Sequence, residues 1–401
     1  MSLALLLTLP SFLACEPVID DSGTGPADTD TDTDTDTDTD ADSDTDTDTD
    51  TDTDTDTDTD TDTDADADFT IVASTTDYTT GILVTINSAG ALTDRVLPVS
   101  SDASIRQIGD ATYVLNRSSE NTVQKFINRD FSAPVLEFST GDGSNPHDVA
   151  ECGGAIVVAP YGTGALMVVD ATTGLQTGSV DLSAFDDGDG SPEPDRMFLA
   201  PNGYLYLAMN QLFDWVSADG SGTLAKIDCS TWQVVDSWEV GPNPLLQPDP
   251  TNPDGILLSG GDYYNEDFGP LLDGGLSAFD TSDDSYTPMF LTEEDLGANL
   301  GGVVGTADGH FVSSTDDCYT WSLLCIDAST AALTTVDIGN AYIGSMVATP
   351  DGMVWAAVGD GYGGGTPAEV GFTKINPVTC AVEATVGAAL GPSSLDVAIH
   401  E

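Results

Sequence analysis

Basic residues are scarce in this chain of 401: eight Lys plus Arg stand against 69 Asp plus Glu, a formal net charge of −61 at pH 7. A surface of that sign repels phosphate backbones and anionic headgroups, so nucleic acid is excluded as a partner. Histidine is scarcer, at three residues. That is too few imidazoles for an ordinary zinc or copper site, and any metal would be Ca²⁺ on carboxylates. The motifs GxSxG, HExxH and GxxxxGK do not occur, which removes the motif argument for an elbow hydrolase, a metalloprotease or a phosphate-cradling loop. The apolar run at the start, MSLALLLTLPSFLA (1–14), is too short to span a bilayer and has the length of a secretory signal.

The acids are unevenly spread. Glu16, Asp20, Asp21, Asp28 and twenty aspartates from Asp30 to Asp68 come first, without one Lys or Arg among them. From Thr29 to Asp64 the chain is Thr-Asp repeated, broken only by Ala41 and Ser43. It has nothing apolar to bury and its neighbouring charges repel, so it is expected to be a disordered, stretched stalk. Fully extended, such a tract reaches on the order of 130 Å. Residues 69–401 keep 45 acids against eight bases, a solvated acidic surface suited to salt or divalent cations.

The stretch FLAC (12–15) resembles the lipobox of bacterial lipoproteins, in which the cysteine becomes the lipidated first residue. The resemblance implies lipidation at Cys15 and export to the cell envelope, at the outer membrane or cell surface. Contact with membrane is then through the lipid anchor alone. The chain divides accordingly into a signal peptide (1–14), an anchored acidic stalk (15–68) and a folded part (69–401), expected to be monomeric.

The folded part repeats. NPHDVAECGGAIVVAPYGTGALMVVDATTGLQTGSVDLS (145–183) carries four short apolar runs separated by Gly, Asn and Asp turns, and related units of about 40 residues precede and follow it. Three runs at the front, FTIVAST, GILVTIN and DRVLPVS, lack a fourth, and SLDVAIH at the end (394–400) lacks three. Together they complete one unit and close a ring, which removes exposed sheet edges. The expectation is an all-β fold, a seven-bladed β-propeller with permuted N- plus C-terminal closure. The phrases APNGYLYLA (200–208), VVDATTGLQTGSVDL (168–182), CIDASTAALTTVDIG (325–339) and TPDGMVWAAV (349–358) resemble YVTN-type propellers, relatives of lactonase-like propellers. The resemblance covers residues 69–401 and concerns fold rather than chemistry.

In such propellers the innermost strands line a channel, and ligands gather where those strands begin. That places Arg106, His147, Asp148, Asp195 and Arg196 at one mouth. Insertions at 184–194, 209–222, 260–274 and 359–367 add Trp215, Asp262, Tyr263, Tyr264 and Tyr362. FDDGDGSPEPD (185–195) has the look of a calcium loop, with Asp187 and Asp189 as ligands, but the twelfth position from Asp187 is Phe198 where an EF-hand needs Glu. Of the five cysteines after Cys15, Cys318 and Cys325 flank the short segment DDCYTWSLLC and are expected to pair. Cys152, Cys229 and Cys380 are left with one free or otherwise paired.

Two functions fit. One is a surface-displayed, non-catalytic scaffold binding a glycan, a peptide or an envelope protein. The other is a lactonase-like or other small-ester hydrolase, with His147, Asp195, Arg196 and Arg106 as its catalytic groups. An enzyme needs His147 beside a charged partner in a pocket that excludes water; a scaffold needs only an aromatic and acidic rim.

Overall fold

A computed structural model describes residues 69–400 apart from 119, 214, 215, 218, 219, 263–270, 317–319 and 362. The signal run, Cys15 and the Thr-Asp tract lie outside the described residues, as do Trp215, Tyr263, Tyr264, Cys318 and Tyr362. Each repeat is a four-stranded antiparallel meander. In blade three the strands are Pro146–Cys152, Ala155–Pro160, Ala165–Asp170 and Gln176–Asp181, hydrogen-bonded in that order. The second strand is an unbroken apolar run buried on both faces, whereas the fourth alternates and is mostly exposed. That gradient is what a blade wedged between two others requires, since only its outer rim meets water.

Six such sheets are continuous in sequence, and the seventh joins both ends of the folded part. Its outer strands are Leu92–Val99, Gly81–Asn87 and Thr70–Thr76, and its innermost is Ser393–His400. Thr70 lies opposite His400 and Thr76 opposite Ser393, with a bulge at Ser74 and Thr75. The innermost strands Ala103–Ile108, Pro146–Cys152, Pro194–Leu199, Leu245–Pro248, Asn299–Thr306, Tyr342–Ala348 and Ser393–His400 neighbour one another in a closed circle. The chain is a seven-bladed β-propeller with the permuted closure.

The core is divided into seven apolar clusters, one in each gap between blades. The gap between blades seven and one, for example, joins Trp355 and Phe372 to Phe69, Ile71 and Val84. Asp residues close the outer hairpins. Asp170, Asp228, Asp280 and Asp327 each end a third strand and accept backbone N–H groups of the turn that follows, such as Thr173 at 2.8 Å and Thr330 at 2.7 Å. The Ser230, Ser282 and Ser329 hydroxyls donate to Asp228, Asp280 and Asp327 as well, and these bonds, ahead of the backbone ones there, hold the carboxyls below the usual range, Asp327 to about 2; for Asp170 the Thr173 N–H leads.

Two disulfides staple neighbouring blades. Cys152 at the end of the innermost strand of blade three pairs with Cys229 of blade four, and Cys325 of blade six pairs with Cys380 of blade seven. The expected Cys318–Cys325 pair is thereby corrected. Cys325 lies within the strand Trp321–Asp327 directly opposite Phe311, well down the hairpin from its tip. The alternation of that strand turns Leu323 and Cys325 into the gap facing blade seven. Cys152, Cys229 and Cys380 are all paired, and no cysteine is free among the described residues. Gly153 (φ +58°) belongs to the first staple, because a Cβ there would lie 2.5 Å from the Cys229 carbonyl oxygen.

Peptide mapping without reductant is expected to recover 152–229 and 325–380 linkages, and a 318–325 linkage would contradict this packing. Replacing Cys152 and Cys229 together by Ser is expected to lower the unfolding free energy by about 2–4 kcal/mol, read from urea denaturation.

Candidate functional site

The channel is built from side chains that lace adjacent innermost strands together. Asp148 and Asp396 occupy matching places in PHDVAEC and SLDVAIH, each followed by Val-Ala. Each accepts the N–H of its own next residue, Val149 at 2.8 Å and Val397 at 3.0 Å. Each then reaches across to the next blade. Met197 N–H donates to Asp148 Oδ2 at 2.6 Å, and Ile105 N–H donates to Asp396 Oδ2 at 2.8 Å. Arg106 lies between the two carboxylates, its Nε 2.5 Å from Asp148 Oδ1 and its Nη1 3.8 Å from Asp396 Oδ2. Burial works against the guanidinium charge, but Asp148 and Asp396 more than offset it and hold the group protonated. Blades one to four are tied by this chain of charge-assisted bonds.

His147 belongs to a separate cluster. Its Nδ1 lies 2.8 Å from Asp195 Oδ1 and its Nε2 lies 3.1 Å from Asn145 Nδ2, while the ring stacks on Tyr161 at 4.0 Å. Asp195 can only accept, and the Asn145 amide nitrogen can only donate while its Oδ1 takes the Ser118 N–H, so the network places a proton on Nδ1 and directs the Nε2 lone pair at Asn145. Burial, with Asp195 and Glu193 nearby, pushes the Tyr161 phenol well up. Glu193, buried and at φ +47°, is pushed up to about 7. The cause is chiefly burial; the Leu212 N–H at 2.9 Å opposes it, and the charges of Asp189 and Asp187 add to it.

Asp186, Asp187 and Asp189 form the one group with metal-ligand spacing among the described residues, their oxygens within 4.8 Å of one another. Asp186 accepts from the N–H groups of Gly188 and Gly190, and Asp189 from that of Ser191. Both Asp187 oxygens are buried without a hydrogen bond. The donor set is all oxygen, which suits Ca²⁺ over the softer metals.

The five residues expected at one mouth thus divide. Arg106, Asp148 and Arg196 line a cavity of about 320 Å³ inside the channel, and His147 with Asp195 stands outside that lining. The cavity extends past Ile108, Leu199, Pro248 and Ile399, toward the C-terminal ends of the innermost strands. Asp262 belongs to neither group: it is buried in blade five, its N–H bonded to Asp273 and its carbonyl to Asn299. Asn299 also touches Glu293, which accepts N–H groups from Leu300 and Gly274 and is pushed up to about 7, mainly by burial. Asp396, Glu193, Tyr161 and Glu293 were not singled out in the sequence. The Asp-Val-Ala shared by 148–150 and 396–398 was the signal for the first; the others become special only through burial.

No protein-family model matches the chain, and no curated protein matches it. Among solved structures it is similar to a protein from Bacteroides fragilis provisionally named 6-phosphogluconolactonase, with a TM-score of 0.55 and 14% identity over 84% of this chain and 99% of that one. A protein of the same provisional name from Bacteroides uniformis gives 0.54 and 15%, over 83% and 99%. Dihydro-heme d1 dehydrogenase NirN gives 0.50 and 11%, over 82% and 74%. At such identities the likeness is one of fold.

The two raised carboxyls set a pH dependence. A group whose pKa is higher folded than unfolded contributes stability that is present below its unfolded value and lost as pH rises through about 7. The melting temperature is therefore expected to be higher at about pH 5.5 than at about pH 8.5. Glu193→Gln and Glu293→Gln should each reduce that difference in thermal melts. The depressed hairpin aspartates act in the opposite sense and lower, their contribution lost only as pH falls below about 4.

Proposed function

We propose that this chain is an exported propeller, held to the cell envelope by a lipid on Cys15, carried on its Thr-Asp tract and acting as a non-catalytic binding module. The lipobox-like FLAC supports the anchor, and two disulfides suit an oxidising compartment. The observation that carries the non-catalytic reading is the state of His147. Both ring nitrogens are engaged, by Asp195 and Asn145, and the ring stands outside the channel cavity. A general base needs a lone pair facing the proton it takes. Binding would fall to the insertions at 209–222, 260–274 and 359–367, whose sequence includes Trp215, Tyr263, Tyr264 and Tyr362, residue types suited to a glycan, a peptide or an envelope protein.

A lactonase-like hydrolase is the second reading. The His147–Asp195 pair favours it, since a buried carboxylate on one imidazole nitrogen is how a base is oriented. In that reading Asn145 swings aside when substrate arrives. Two fold neighbours bear the name 6-phosphogluconolactonase, which makes 6-phosphogluconolactone the first member of a lactone panel.

On that panel the binding reading expects no turnover above background, and His147→Ala unchanged. Turnover that falls by about 100-fold or more in His147→Ala would establish the hydrolase instead. In cells, Cys15→Ser should lose labelled palmitate and leave the membrane fraction; labelling that persists would remove the anchor. A pull-down from envelope extracts, with and without Ca²⁺, reads the rim partner and any need for a cation at Asp187 and Asp189.

A further inference from the structure

We infer that the channel cavity is a binding site for a small monocarboxylic acid with an apolar body, anchored by Arg196. The inference goes beyond rim binding, because the cavity lies within the ring whatever docks at its edge. Arg196 Nη1 is buried and has no hydrogen-bond partner, in a chain where acids outnumber bases 69 to eight. A buried guanidinium donor without an acceptor is costly, and folded proteins rarely leave one so.

The remaining charges of the lining are matched. Arg106 is bound to Asp148 and lies within reach of Asp396. Asp148 also takes two backbone N–H groups. Glu151 accepts from Lys125 Nζ at 2.7 Å and from the Tyr113 hydroxyl. Arg196 is the cation of this lining left with a buried donor and no acceptor.

The lining also carries the apolar residues Phe198, Leu246, Pro248, Met346 and Ile399, contributed by four different blades. About 320 Å³ lies at the lower end of the range for small-molecule sites. Arg196, which lines the cavity and forms no ion pair among the described residues, together with the apolar part of the lining matches a carboxylate on an aliphatic or aromatic body, with a charge-assisted bond at one end and buried hydrocarbon at the other. A phosphate dianion fits less well, because Asp148 and Glu151 would repel its second charge.

The test is calorimetric titration of the full chain with octanoate and with octanamide, which share length and shape and differ in charge. Octanoate is expected to bind at least about tenfold more tightly. Arg196→Gln should abolish that preference while leaving octanamide binding and the far-ultraviolet circular dichroism melt as in the wild type. Equal affinity of the two ligands, no heat from either, or a preference that survives R196Q overturns the proposal; each would mean that the cavity holds water or unselective hydrocarbon. If R196Q does not fold, the wild-type comparison decides alone. Rim binding and channel binding fail separately, since one is read by pull-down and the other by calorimetry.

Discussion

The pairing of Thr70–Thr76 with Ser393–His400 is the contact on which the rest depends. Every blade has two apolar faces and can bury neither by itself, so each of the seven clusters exists only because another blade lies across the gap. An open chain of blades would leave two such faces and two sheet edges in water. Closing one sheet from both ends of the folded part covers all of them at once. It also makes the last strand, Ser393–His400, part of the channel wall.

The channel shows what that closure does for chemistry. Innermost strands of neighbouring blades belong to different sheets, so no ladder of backbone bonds joins them. Asp396, Arg106 and Asp148 supply the missing connections, each from a different blade, and the first of them arrives only with the C-terminal strand. The same crowding that matches these charges leaves Arg196 Nη1 without an acceptor. His147 is held firmly, but at a place where its lone pair is spent on Asn145. Stiff scaffolding and spare binding capacity are thus distributed among residues adjacent in sequence.

Much of the fold was legible. Continuous apolar runs such as AIVVAP and alternating ones such as QTGSVD separate inner from outer strands by composition. Asp at the end of a third strand marks a hairpin through bonds made within four residues. Orphan strands at the two ends announced the closure. The candidate site was legible only in part. Arg106, His147, Asp148, Asp195 and Arg196 were expected together at one mouth by their position in the repeat. Their division between a cavity and a stacked cluster depends on which face of a strand each residue occupies, and bulges at Pro146/Asp148 and Pro194/Met197 shift that face.

Local periodicity and turn chemistry act over a few residues, so the sequence by itself determined strands, turns, blade number and closure. Partners across a gap are brought together by ring order and by bulges, over separations that no local pattern encodes. Tertiary structure alone therefore decided that Cys325 meets Cys380 rather than Cys318 and that Asp396 meets Ile105. It alone decided that Glu193 and Glu293 sit at about 7, because their surroundings, not their neighbours in the chain, set the cost of their charge.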